Sequence, residues 1–173
     1  MVSRVAFTIL VVMVAVQRVA ELAHSRRNEA GLRARGAIEH APWQVSMLTV
    51  LHGAWLVSMV AEVWLLRSSF RPGLALFAMV VFIVGQVLRL AAIRTLGDRW
   101  TVRVMTLPTT RRVTQGLYSW LPHPNYLGVA LEIASLPLVH GAVVTAVVFS
   151  VLNAVALALR IGVESHALAE TEP

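Results

Sequence analysis

The sequence predicts an all-α integral membrane protein of about five transmembrane helices, forming a single domain over residues 1–173. Three observations carry that expectation. The chain is 57% hydrophobic and only 14% charged, far too apolar for a soluble domain of its length. Apolar runs of crossing length alternate with short stretches that hold most of the arginines. The last apolar run is interrupted by Pro137, His140 and Gly141, which suit a tight break between two helices.

Residues 5–22 form the first apolar stretch, with Gln17, Arg18 and Glu21 close to its end. Arg4 ahead of it resembles the start of a signal peptide. No small-residue cleavage site follows, so the stretch is expected to remain as a spanning helix. Arg18 and Glu21 lie three apart on one helical face, where pairing lowers the cost of their depth. The polar run 24–42 is expected to be a loop, with Arg26, Arg27, Arg33 and Arg35. The second span, 41–66, is uncharged as far as Ala61, and His52 and Glu62 are its polar exceptions. A short turn over 67–72 leads to the third span, 73–96, which carries Gln86 and Arg89. A second basic loop, 98–119, holds Arg99, Arg103, Arg111 and Arg112.

The apolar stretch 127–159 is too long for one crossing and short for two, since a crossing takes about 20 residues. The break at Pro137 to Gly141 favours a hairpin of spans four and five. Ala142, Ala146, Ala154 and Ala158, repeating in steps of four, are expected to form the packing face. The hairpin sets the amino terminus outside, the carboxyl terminus inside and both strongly basic loops in the cytoplasm. A single helix would instead put Arg160 and Glu164 across the membrane from His123.

Net charge is +6, carried by arginine alone, for the chain has no lysine. Because the arginines flank apolar segments, they read as orientation signals facing membrane lipids, not as a nucleic-acid surface. No cysteine is present, which excludes disulfides and thiol-based nucleophiles or metal ligands. The scattered histidines make no metal-ligand pattern. Nothing in the sequence sets an oligomeric state.

Two short stretches concentrate the polar chemistry. Residues 116–128 read Gly-Leu-Tyr-Ser-Trp-Leu-Pro-His-Pro-Asn-Tyr-Leu-Gly. Two prolines one residue apart fix the backbone there and remove two amide donors. By itself this is a turn that starts a helix and carries interfacial aromatics. The second stretch holds Arg160 and Glu164, one helical turn apart on a single face, where an ion pair can end a span. The hairpin brings the two together. The resulting pocket offers aromatic faces, an imidazole, an amide, a carboxylate and a guanidinium against an apolar wall.

These residues carry a resemblance. Gly116-x-Tyr118, His123-Pro124-Asn125-Tyr126-x-Gly128 and Arg160-Ile161-x-x-Glu164 resemble, in order and spacing, the isoprenylcysteine carboxyl methyltransferase family. The likeness covers roughly the last seventy residues. Gln17-Arg18, Glu21, Arg26, Asn28 and residues 36–39 resemble a short bacterial subgroup whose members methylate alkylpyrones or alkylresorcinols. Two positions depart from the family pattern: Pro122 replaces an arginine before His-Pro, and Ser165 replaces a second acidic residue after Glu164.

The resemblance implies an integral membrane methyltransferase that uses S-adenosyl-L-methionine, with a cytoplasmic cofactor-binding loop and C-terminal helix over about residues 100–170. It assigns cofactor contacts to Arg103, Thr110, Arg111, Arg112, Val113, Tyr118, His123, Pro124, Asn125, Tyr126 and Glu164. Arg160 is the implied contact to the substrate, a lipophilic small molecule or lipid. His52 and Glu62 either line a lipid-facing substrate tunnel or bond to neighbouring helices.

Physically these roles are coherent. A carboxylate binds an amino group or ribose hydroxyls, and aromatic faces suit a sulfonium cation. Transfer to an ionised oxygen needs mainly alignment in a dry site. A phenol with a pKa near 10 needs a base, and His123 or His166 can serve. Three readings are therefore open. They are O-methylation of a carboxyl or acidic hydroxyl group, N-methylation of an amine or phospholipid headgroup, and a non-catalytic membrane scaffold.

Overall fold

The structure is a computed structural model, which describes residues 1–108, 110 and 112–171, the side chains of 170 and 171 excepted. Five α-helices dominate: α1 (Val2–Ala34), α2 (Trp43–Leu65), α3 (Pro72–Leu96), α4 (Pro124–Ser135) and α5 (Val143–Thr171). All but α4 are long and apolar enough to cross a membrane. Their outward faces are apolar, with Val12, Val16, Leu76, Phe77, Val80, Val147 and Val151 all exposed. The interior is closed by Trp55, Met59, Val63, Ile133 and Leu136, each fully buried. Such a molecule is held together by close packing and internal polar bonds, because lipid is as apolar as the core.

The first helix is longer than the expected span of 5–22. It continues through the polar residues to Ala34, so most of the expected loop 24–42 is helical. The reason lies in partners. Ser25 is buried and its hydroxyl donates to Glu29 Oε1 at 2.6 Å. The Asn28 amide donates to the carbonyls of Gly97 and Trp100 at 3.0 and 2.8 Å. Beyond Gly36, the left-handed turn (φ 83°) leads into β1 (Ile38–His40), which pairs antiparallel with β2 (Val104–Thr106). This two-stranded ribbon ties the two basic connections to each other at one end of the bundle.

The expected break is present and makes a hairpin of α4 and α5. With 12 residues, however, α4 is shorter than a crossing, so the expected fourth span is a short helix and four of the described helices, not five, have crossing length. Pro124 opens α4, and its fixed φ suits the first helical position. A 3-10 turn over Leu136–His140 ends at Gly141 in the left-handed region (φ 72°), and α5 starts just after. At Gly141 a Cβ would stand 2.8 Å from the Ser69 carbonyl oxygen, so the turn packs directly on the α2–α3 connection. That sets the hairpin bend at the end opposite the ribbon.

The expected packing stripe on α5 is only half correct. Ala142 and Ala146 are buried, but Ala154 and Ala158 are exposed. Steps of four residues precess by about 40° per step, so the stripe turns away from the bundle. The buried face continues instead through Phe149, Asn153, Ala156 and Arg160, in alternating steps of three and four.

A candidate active site on the wall between two cavities

At the ribbon end, the turn Gly116–Ser119, the start of α4 and the last turns of α5 enclose a cavity of ≈ 140 Å³. Arg103, Thr110, Arg112, Val113, Tyr118, His123, Asn125, Tyr126, Arg160 and Glu164 all line it, together with Pro122. The chain thus brings together nearly every residue that the sequence singles out. Pro124 is buried behind the wall as the first residue of α4. Arg111 lies outside the described residues.

The prolines explain the local geometry. His123 stands just ahead of α4 with an extended φ of −134°, as expected for a residue before proline. Its ring stacks on that of Tyr126 at 5.3 Å between centroids, and its Nδ1 lies 3.8 Å from Glu164 Oε2. Tyr126 OH donates to Glu164 Oε2 at 2.5 Å and accepts from Arg160 Nε at 2.9 Å. Arg160 and Glu164 are therefore joined through the Tyr126 hydroxyl, in place of the direct ion pair that their spacing allows. Burial, reinforced by the Glu164 carboxylate, pushes the nearby Tyr118 phenol up to about 12. Tyr118 is thereby kept neutral, an aromatic wall and hydroxyl donor.

Arg160 is the best-held group of the site. It is buried, donates to the Val102 carbonyl at 2.5 Å, and lies 5.6 Å from the Tyr126 ring centroid. Its remaining nitrogen, Nη1, is buried without a partner among the described residues. A buried guanidinium N–H left unpaired is costly, and an oxygen of a bound ligand would relieve it. Arg103, in contrast, is already occupied. It donates to Glu29 Oε2 at 2.9 Å and pairs with Glu39, which Arg33 also holds. The hydrogen bond to Glu39 raises the Arg103 pKa above its ordinary value. Arg103 fastens the ribbon to α1 and offers the cavity the rest of its fork.

A second, mostly apolar cavity of ≈ 300 Å³ lies deeper, between α1, α2, α4 and α5. It shares Trp100, Thr101, Asn125, Tyr126 and Arg160 with the first. These residues form a common wall, apolar and membrane-embedded on one side, polar on the other.

The expected pair of Arg18 and Glu21 is present, at 2.9 Å, but sequence reasoning missed the larger polar cluster beneath that wall to which it belongs. Arg18 contacts both Glu21 and Glu132, while Arg89 contacts the same two carboxylates. Arg89 Nη1 also donates to Asn125 Oδ1 at 3.4 Å, and Gln17 donates to Gln86 at 2.8 Å. Two cations against two anions make the cluster neutral, which is how such groups persist away from water. The signal was available in Glu132, a carboxylate in the middle of an apolar run that demands a partner. His52 does line the second cavity. Glu62 does not. It accepts from the backbone N–H groups of Val144 and Thr145 at 3.0 and 2.7 Å and so caps the start of α5.

Comparison with known proteins gives the chain a family and relatives. The model of the isoprenylcysteine carboxyl methyltransferase (ICMT) family matches residues 77–170, which include all the residues lining the first cavity except Leu32. A relative from Bacillus subtilis (strain 168), described as "Uncharacterized protein YpbQ", is 37% identical over 167 residues, covering 95% of this chain and 97% of the relative. An "Uncharacterized protein" from Haemophilus influenzae is 29% identical over 154 residues, covering 88% of each chain. The chain belongs to the isoprenylcysteine carboxyl methyltransferase family, a family of membrane methyltransferases.

Proposed function

We propose that the chain is an S-adenosylmethionine-dependent O-methyltransferase acting on a carboxyl or acidic hydroxyl oxygen of a lipophilic, membrane-dissolved acceptor. The observation that carries this reading is the shared wall: Tyr126, Asn125 and Arg160 face a polar cavity on one side and an apolar one on the other. Two reactants of opposite polarity can meet there without either leaving its own phase. With the strongly basic connections on the cytoplasmic side, the polar cavity opens toward the cytoplasm and the protein sits in the plasma or inner membrane.

The residues present fit the cofactor. Glu164 and Asn125 suit its amino group and hydroxyls, and the Tyr118, His123 and Tyr126 rings suit adenine and a sulfonium. Thr110, Arg112 and Val113 complete the rim, and Arg103 and Pro124 hold the frame. When bound, S-adenosylmethionine supplies an electrophilic methyl carbon on a cationic sulfur. The chain's own part is positioning and the exclusion of water. Arg160, through its free Nη1, holds the acceptor's anionic oxygen at the wall. His123 takes the proton where the acceptor is a hydroxyl that is not already ionised.

That free Nη1 favours an oxyanion over an amine, because a guanidinium repels a protonated amine and cannot accept from a neutral one. N-methylation of an amine or phospholipid headgroup is the weaker reading for this reason. The test is titration of purified protein with S-adenosylhomocysteine, followed by incubation of membranes with methyl-labelled cofactor and candidate lipids. Saturable binding and label in an acidic lipophile are expected. No binding would sink the enzyme reading in favour of a scaffold, and label in phospholipid alone would sink the choice of acceptor.

A further inference from the structure

A short face of α1 holds the wall between the two cavities from behind. His24, Ser25, Asn28 and Glu29 share that face, and each stacks on or bonds to the segment 97–103. The His24 ring stacks on Trp100 at 5.8 Å between centroids. Ser25 makes the innermost link. It is fully buried, and its Oγ accepts from the Val102 N–H at 2.9 Å and donates to Glu29 Oε1 at 2.6 Å. A serine inside a helix often returns its proton to the carbonyl one turn back. Here the proton goes one turn forward, and the oxygen accepts from a distant part of the chain.

Val102 connects that link to Arg160. Its carbonyl accepts from Arg160 Nη2 at 2.5 Å, while Arg160 Nε donates to Tyr126 OH at 2.9 Å. A planar guanidinium held by one bond swings about it. Held by two, its plane is fixed, and with it the direction of the unpaired Nη1. The Val102 carbonyl is itself held from both sides. Ser25 takes the N–H of the same residue, and Glu29 Oε2 takes the side chain of the next, Arg103, at 2.9 Å. Thr101 Oγ1 donates to the Arg103 carbonyl at 2.7 Å and closes the bend across it. Ser25 lines neither cavity, and α1 lies outside the matched segment 77–170, so neither ligand contact nor the family match gives this residue a part.

We infer that Ser25 is a positioning residue: through Val102 it sets the aim of the Arg160 guanidinium at the acceptor's anionic oxygen. The inference rests on the part given to Arg160 above. It makes one hydroxyl of α1, in contact with neither reactant, a determinant of affinity for the anion. The cofactor side does not run through it, because Tyr118, His123 and Glu164 are carried by other elements.

Binding in lipid nanodiscs tests it with two probes: a long-chain fatty acid, ionised at mildly alkaline pH, and the primary amide of the same chain. Wild type should bind the carboxylate at least about tenfold more tightly than the amide, the worth of a hydrogen bond to a charged group. Arg160→Gln should abolish that preference. Ser25→Ala should cut it about fivefold, the worth of one net hydrogen bond, with S-adenosylhomocysteine affinity unchanged in a separate titration. Ser25→Cys, close in size but a weak acceptor, should fall between. A preference that persists in both Ser25 variants but disappears in Arg160→Gln overturns the inference. So does an equal loss of affinity for both probes, which a merely structural role would produce. No preference in wild type, or its survival in Arg160→Gln, overturns the part given to Arg160 and the inference with it. Failure of S-adenosylhomocysteine to bind wild type overturns the methyltransferase reading, and the probe ratio still decides on Ser25.

Discussion

Tyr126 OH donates to Glu164 Oε2 at 2.5 Å, and this one bond couples the start of α4 to the end of α5. The same oxygen accepts from Arg160, so a single phenol orients both the carboxylate and the guanidinium of the wall. Tyr126→Phe keeps the ring stacked on His123 but releases both partners. Hydrogen bonds to charged groups are worth roughly 1.5–3 kcal/mol, so S-adenosylhomocysteine affinity should fall on the order of tenfold to a hundredfold. Calorimetric titration checks this, and unchanged affinity would show that Glu164 is placed without the phenol.

The fold was legible in the sequence because its strongest signals are local and thermodynamically expensive to violate. Long apolar runs, and the break at Pro137 and Gly141, left little freedom in the number of helices. The extent of α1 was not legible, because what keeps residues 23–34 helical is contact with Gly97, Trp100 and Arg103, far away in the chain. The site was readable where rare residue types cluster, as at 116–128. Of the charge cluster only the Arg18–Glu21 pair, local to α1, was legible; Arg89 and Glu132 come from two other helices and make sense only when assembled.

Helices α3 and α4 touch through glycine. A Cβ on Gly128 would lie 2.7 Å from the Gly85 carbonyl oxygen and 2.6 Å from Arg89 Cγ. The backbone oxygen cannot move aside without separating the helices. Gly128→Ala should therefore destabilise the protein by about 1–3 kcal/mol and displace Arg89 from Asn125. A thermal-unfolding midpoint equal to that of wild type would contradict the close approach.

The ribbon should loosen in acid. Burial alone would raise the Glu39 carboxyl, but hydrogen bonds from Arg103 and Arg33 outweigh it and hold the pKa below its ordinary 4.5. A carboxyl depressed in the folded state adds stability that is complete above its unfolded pKa and fades as pH falls through the folded one. Amide exchange of residues 38–40 and 104–106 should thus accelerate relative to the helices as pH falls below about 4.5, after correction for intrinsic rates. In Glu39→Gln that pH dependence should vanish and the faster exchange should already be present at neutral pH.

The neutral cluster of two arginines and two glutamates should be intolerant of single changes and tolerant of paired ones. Glu132 is fully buried and touches both Arg18 and Arg89. Glu132→Gln leaves two guanidiniums sharing Glu21, and breaking a buried pair from one side costs about 3–5 kcal/mol. Arg18→Gln together with Glu132→Gln restores neutrality and should recover much of that loss. Arg89 stays paired with Glu21 in the double variant, so Asn125 and the wall between the cavities keep their support. Denaturant titration in detergent measures all three variants. A double variant as unstable as the sum of the two single ones would mean that the four groups act independently, and the cluster would not be the electrostatic unit that its contacts describe.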